Sequence, residues 1–450
     1  MDEACAFGHG NRKNKQQATG ARIDSDMISA GLLQAYAAIG LSAVLPIYFG
    51  SHASVKMPKR AKRALSAAHP DGAADEDEEE EEEEIERLTS QEAYLFPVLG
   101  SATLIVQFLA FKYLNKSIIN LILSSYFAIL GIAGLARMGV YLVKNTLSKD
   151  RYSSFSKYRF NLTKNAEDFF SFTFTSLHVF FALLATVLCA FHLYTNNWVA
   201  ANFIALSFSF NVISLLRIDS FKTGIILLSG LFVYDIYWVF FSSKQFGQSV
   251  AVATNFEAPI KIVYPKNIFA EKAVFTMLGL GDIVVPGIFV SLALRFDYMT
   301  AVEAALKTGQ YQSIPSRKQV YPKPYFTAVM ISYILGLATT IVVMHTFQAA
   351  QPALLYLSPA CILSILLTAL ARGETTCIWT YSDEEEKPED SKKGENGKKL
   401  VASPEEEVVE EEGKQERTNG EAIAARRTSQ TGGTGLRKRS KEPTAADEGQ

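Results

Sequence analysis

The chain has 450 residues, 48% of them hydrophobic with 30 Phe and 19 Tyr, and a formal net charge of −2 at pH 7. That sum is made of opposed local blocks and not of one basic field, which excludes a nucleic-acid partner. Four cysteines (Cys5, Cys189, Cys361 and Cys377) lie far apart, two of them in apolar runs, and form neither a disulfide framework nor a zinc pair.

A helix needs about 20 mostly apolar residues to cross roughly 30 Å of hydrocarbon. Residues 1–26 form a polar tail, followed by a stretch free of Asp, Glu, Lys and Arg from Met27 to Val55. Asp24 and Asp26 precede that stretch in place of a basic n-region, so it reads as a retained span. The next segment, 56–90, carries Lys56, Lys59, Arg60, Lys62 and Arg63, then an unbroken acidic run at 75–84. Self-repulsion and a lack of apolar residues predict a disordered loop there. Uncharged stretches follow at Ala93–Phe111 and Ser117–Ala136, then at Phe169–Leu216, which is long enough for two spans around a turn at Thr195-Asn196-Asn197. Further spans are expected at Thr223–Ser243, Ala273–Leu294, Tyr325–His345 and Pro352–Ala371. The expected fold is an all-α polytopic membrane protein, with nine transmembrane helices over 27–371 and a mostly disordered tail over 372–450. Lysine and arginine cluster after spans one, three and seven, on one side in a nine-span count. That bias predicts a cytosolic C-terminus and a lumenal N-terminus.

Two acids interrupt this apolar material well inside a span, Asp235 and Asp282. A charge at mid-bilayer costs about 2.5–3.5 kcal/mol on insertion scales, so each needs a reason. Asp235 follows Thr223 by 12 residues and Asp282 precedes Leu294 by 12. Adjacent spans run antiparallel and each helical residue rises about 1.5 Å, so both carboxylates are expected about 18 Å from the same membrane face. Two carboxylates facing one another in low dielectric share a proton. That state suits an aspartic protease, whose ionised member activates water while the protonated one polarises the scissile carbonyl. Such chemistry requires no metal and no cofactor, and no His-Glu-x-x-His motif is present. Gly279 is expected one turn before Asp282 on the same helical face. Pro286 lies four residues after Asp282 and removes the usual donor to its carbonyl, which predicts a bend.

An ion or proton site in a transporter uses mid-membrane acids and broken helices too, and a structural hydrogen-bonded pair is a third reading. On residue types and spacing alone these remain open. Of the other polar residues, His178, His192 and His345 are expected in interhelical hydrogen bonds. Trp238 reads as packing and Arg137 as a snorkelling anchor.

Three motifs narrow the choice. Tyr234-Asp235, Gly279-Leu280-Gly281-Asp282 and Gln351-Pro352-Ala353-Leu354 resemble the signatures of the GxGD intramembrane aspartyl proteases, the class that contains presenilin. The longer stretches Phe256–Lys261, Gly279–Asp297 and Gln351–Ala360 are similar to the signal peptide peptidase family, and the likeness spans roughly residues 27–382. The resemblance implies Asp235 and Asp282 as the catalytic pair. It also implies Tyr234 flanking the first, Gly279, Leu280 and Gly281 shaping the second, and Gln351, Pro352, Ala353 and Leu354 as a loop beside them. It implies a multi-pass endoplasmic-reticulum enzyme that takes membrane-embedded peptides as substrates: remnant signal peptides and type II oriented segments. A homo-oligomer is compatible with it. A catalytically silent membrane chaperone is the non-enzyme alternative.

Overall fold

The computed structural model describes residues 31–68, 87–113, 115–147, 151–152, 154–164, 167–237, 261–266, 275–309, 321–347 and 352–383. The acidic run, Trp238, Phe256–Ile260, Gln351 and both far termini lie outside them.

The described chain is mostly helical, as its apolar stretches predict. In order come α1 (Gly31–Ser54), α2 (Lys59–Ala68), α3 (Ser90–Tyr113), α4 (Lys116–Thr146), α5 (Ser176–Thr195), α6 (Trp198–Leu215) and α7 (Phe221–Ile236). Then follow α8 (Gly281–Lys307), α9 (Pro324–Phe347), α10 (Leu354–Arg372) and the short α11 (Thr375–Thr380). Seven helices among the described residues are long and apolar enough to span a bilayer: α1, α4, α5, α6, α8, α9 and α10. Helices α3 and α7 stand where the second and sixth spans were expected. Helix α3 carries Glu92 in its first turn and Pro97 inside, and α7 has 16 residues. Between α5 and α6 the anticipated turn is present. Asn196 caps α5 in the left-handed conformation at φ 49°, and the Asn197 side chain accepts from the Val199 N–H at 2.8 Å.

Three two-stranded sheets add to the helices. Strands β1 (Arg87–Leu88) and β4 (Arg217–Ile218) pair in parallel, and β2 (Lys157–Lys164) pairs antiparallel with β3 (Glu167–Thr175). Strands β5 (Lys261–Pro265) and β6 (Phe275–Gly279) form the third sheet, also antiparallel. Two span starts therefore move. The fourth begins at Ser176 and not Phe169, because Phe170-Ser171-Phe172-Thr173-Phe174-Thr175 alternates with the period of a strand. The seventh begins at Gly281 and not Ala273: Phe275–Gly279 pairs with β5, and Gly279-Leu280-Gly281 forms the junction where strand gives way to helix. Gly279 is thus the last strand residue, and Asp282 stands in the first turn of α8.

Three smaller expectations also change. The loop 56–90 is helical over Lys59–Ala68, where Ala61 is fully buried. The tail expected from 372 contains α11 and stays packed on the bundle to Asp383, because Tyr381 and Asp383 find partners there. Arg137 does not snorkel: its guanidinium donates to Asn211 Oδ1 and Ser214 Oγ of α6, both at 2.9 Å, since these polar groups offer a closer partner than the membrane surface. Of the histidines, His178 accepts from the backbone N–H of Thr175 at its own helix start, and His345 meets Tyr36 of α1 edge-on at 6.4 Å.

Helix α8 is the axis of the bundle. Helix α8 is 83% buried along its most apolar stretch, against 6% for α4, so α8 is wrapped by protein while α4 leaves its apolar surface largely uncovered. It packs on α6, α7, α9 and α10. Glycines let it approach its neighbours closely. A methyl group at Gly287 would lie 2.6 Å from Ile213 Cδ1, and one at Gly224 of α7 would lie 2.6 Å from the ring of Phe289. Phe289 is fully buried against Phe221, so the ring has little room to retreat. Gly224→Val is expected to destabilise the protein by about 2 kcal/mol through overpacking. An unchanged unfolding midpoint in detergent would contradict this account of how α7 and α8 are spaced.

Candidate active site

Asp235 stands near the described end of α7 and Asp282 in the first turn of α8, two helices in contact. Both side chains are partly buried. The backbone before Asp282 is shaped for it. Leu280 caps α8, its carbonyl accepting from the N–H groups of Ile283 and Val284 at 3.0 and 2.8 Å. Gly279 lies against the carboxylate: a methyl there would lie 3.5 Å from Asp282 Oδ2. Gly281 faces open space, which any larger residue would fill.

Pro286 has the consequence its lack of an N–H predicts, but the helix continues through it. The freed carbonyl of Asp282 receives the hydroxyl of Tyr333 from α9, at 3.4 Å. Tyr333 is fully buried, so this contact ties α9 to the first turn of α8.

A cavity of about 80 Å³ opens beside Asp282, with Gly279, Tyr36 of α1, Thr340 of α9 and Ala353 among its walls. It is large enough for a small number of water molecules. Pro352 and Ala353 precede α10; the Ala353 carbonyl accepts from Tyr356 and Leu357 at 3.0 and 3.1 Å, and Leu354 is buried in the core. The structure therefore brings Gly279, Asp282 and Ala353 onto one cavity. Tyr234 points elsewhere, with its ring against Gly100 of α3. Among the described residues no three histidine, cysteine or acidic side chains gather as a metal site needs.

The Arg295-Phe296-Asp297 part of the longer likeness proves structural. Arg295 pairs with Asp383 at 2.8 Å, and Phe296 packs edge-on against Tyr325 and Tyr381 at 5.1 and 5.0 Å. The Asp297 carboxylate accepts from the first N–H groups of α9, Phe326 at 2.8 Å and Tyr325 at 3.4 Å. Two residues outside the acids, histidines and motifs bind backbone near the site: Tyr333 at the Asp282 carbonyl and Asn202 at Val263 of β5. Each is an uncharged polar residue within an apolar helix, which is the signal that marks them.

A bundle of bilayer-length helices with two acids on adjacent helices, and a water-sized cavity beside one of them, is a polytopic membrane protein with interior carboxylates. The family model described as signal peptide peptidase matches residues 80–385. The chain is 35% identical over 400 residues to signal peptide peptidase of Homo sapiens, covering 87% of this chain and 94% of that protein. It is likewise 35% identical to the Mus musculus protein of the same name, over 87% of this chain and 93% of the relative. Intramembrane protease 2 of Caenorhabditis elegans is 38% identical over 244 residues, 52% of this chain and 50% of that protein. The chain belongs to the signal peptide peptidase family, and its activity is that of an intramembrane aspartic endopeptidase.

Proposed function

We propose that Asp235 and Asp282 are the catalytic pair of this peptidase, and that it cleaves remnant signal peptides and type II oriented membrane segments in the endoplasmic-reticulum membrane. What supports the proposal is that the two acids stand on helices in contact, with a cavity of water size beside Asp282. One carboxylate is ionised and takes a proton from water as that water attacks the scissile carbon. The other is protonated, hydrogen-bonds the carbonyl oxygen and supports the tetrahedral intermediate. Proton transfer to the amide nitrogen then releases the amine. Gly279 and Gly281 keep the approach to Asp282 free of side chains, Tyr234 packs α7 against Gly100 of α3, and Ala353 walls the cavity beside Asp282.

The substrate must be extended to react, because a helix shields its own peptide bonds. Strand β6 supplies a template: it ends three residues before Asp282, and among the described residues no strand pairs with its outer edge. An extended peptide laid there satisfies its backbone groups inside the bilayer. Lysine and arginine bias supports a lumenal N-terminal tail (1–26), a protease domain over 27–371 and a cytosolic C-terminus. Nothing in the mechanism depends on a homo-oligomer.

The test is a signal-peptide reporter reconstituted with the purified protein in liposomes. The type II orientation should be cut and the reversed segment spared. Equal cleavage of both orientations would refute the substrate assignment. Ion uptake abolished by Asp282→Ala, without any cleavage, would favour a transporter instead.

A further inference from the structure

Asn202 lies inside α6, is only 4% exposed, and has apolar Ala200, Ile204 and Ala205 nearby on its helix. Burying a carboxamide in a membrane helix is costly unless both its donor and its acceptor are used. Both are used here, on a single residue of the β5–β6 hairpin. Asn202 Nδ2 donates to the Val263 carbonyl at 2.8 Å, and the Val263 N–H donates to Asn202 Oδ1 at 2.9 Å. The side chain thus acts as a short third strand on the outer edge of β5.

The pairing register shows what this does for the rest of the hairpin. In an antiparallel strand the N–H and C=O of one residue point to the same side, and successive residues alternate. Val263 faces Asn202, so Ile262 and Tyr264 face β6, opposite Leu278 and Thr276. The N–H and C=O groups of Phe275, Met277 and Gly279 consequently lie along the outer edge of β6. One edge of the sheet is occupied by Asn202, and the other leads to Asp282. Two further contacts seat the hairpin, but through a side chain: the Tyr264 hydroxyl meets Ser42 Oγ of α1 at 2.9 Å, and its ring meets Trp198 edge-on at 5.6 Å. Asn202 grips the backbone itself.

We infer that Asn202 is a positioning residue for the active site, holding β5 in place and register so that β6 delivers Asp282 to Asp235. This rests on Asp282 being half of the catalytic pair. An isolated two-stranded hairpin is marginal, and a one-residue slip exchanges its faces. From Met277, opposite Val263, only five residues lead to Asp282, through a strand end and a helix cap that leave little slack. Displacing β5 therefore displaces the carboxylate, and errors of about 1 Å at a reacting group cost up to about a hundredfold in rate.

The experiment compares the full-length parent, Asn202→Leu, Asn202→Gln and Asn202→Ala in detergent on one reporter, with elution profile and unfolding midpoint as folding controls. The leucine variant fills the space but offers no hydrogen bond. Its kcat is expected to fall about tenfold to a hundredfold while KM stays within about twofold, the split that marks lost positioning. Glutamine, which can offer both groups again, should restore most of the kcat. A folded leucine variant with parental kcat overturns the inference, as does a folded glutamine variant no better than leucine. Should leucine not fold, the alanine variant decides. It is smaller than asparagine and offers neither donor nor acceptor to Val263, so a parental kcat in the folded alanine variant is equally fatal. Asp282→Ala is run alongside. If it cleaves as well as the parent, the reading of the catalytic pair has failed, whereas an active parent with an inert Asp282→Ala leaves only Asn202 in question.

Discussion

Replacing Asp235 or Asp282 with asparagine is expected to reduce cleavage of a signal-peptide reporter by about 10⁴-fold in either variant, with the fold retained. Asparagine matches aspartate in shape but can neither accept the proton from water nor return one to the leaving amine, and a positioned acid or base contributes about 10²–10⁴-fold. Because the two groups act as one unit, the double variant should be scarcely worse than either single one. The pH profile of kcat/KM should be bell-shaped. At low pH both carboxyls are protonated and no base remains; at high pH both are ionised and no acid remains. Parental cleavage by either folded variant, or a rate that rises monotonically with pH, would remove the two-carboxylate mechanism.

The second large effect concerns the middle of α8. The Arg295 side chain is 3% exposed and pairs with Asp383, itself 13% exposed, at 2.8 Å. Its guanidinium also donates to Ser291 Oγ at 2.6 Å and, at 3.4 Å, to the Ile218 carbonyl. The Asp383 N–H donates to the Asp219 carbonyl at 2.7 Å, which joins the segment after α11 to the start of α7. Asp383→Ala leaves a buried guanidinium without its counter-charge, so it should destabilise the protein by about 3 kcal/mol. Deleting 385–450 should leave stability and cleavage near parental values, whereas deleting 381–450 should behave like Asp383→Ala or worse. Equal unfolding midpoints for the two truncations would refute this. Beside the same segment, the hydrogen bonds from Arg372 and then Tyr325 hold the Glu374 carboxyl below its ordinary range. A depressed carboxyl contributes fully above its unfolded value, and the contribution is lost as pH falls through the folded one. Acid should therefore loosen this end of the bundle.

Much of the candidate site is legible in the residues. Asp235 and Asp282 stand out because a charge in hydrocarbon demands a reason, and antiparallel helix rise puts them at one depth. The turn at Asn196-Asn197 and the start of α10 after Pro352 follow from local backbone chemistry. The local geometry around Asp282 does not. Counting it as mid-helix places Gly279 on the same helical face, while the structure makes Gly279 the end of a strand. Absence of charge is the mark of a span, but it does not distinguish strand from helix. The alternation at Phe275–Gly279 is short, and its partner β5 lies at least nine residues away in sequence.

By itself the sequence determined the class of molecule: apolar length sets the bilayer spans, three motifs mark the family, and the two interior acids are the pair proposed for its chemistry. Only the tertiary structure decided what holds those acids. Asn202 clamps Val263, Tyr333 donates to the carbonyl that Pro286 frees, and Asp383 neutralises Arg295. The reason is physical. Burial of apolar surface is proportional to area and can be summed along a chain, whereas a buried polar group is stable only with a partner whose place is known once the chain has folded.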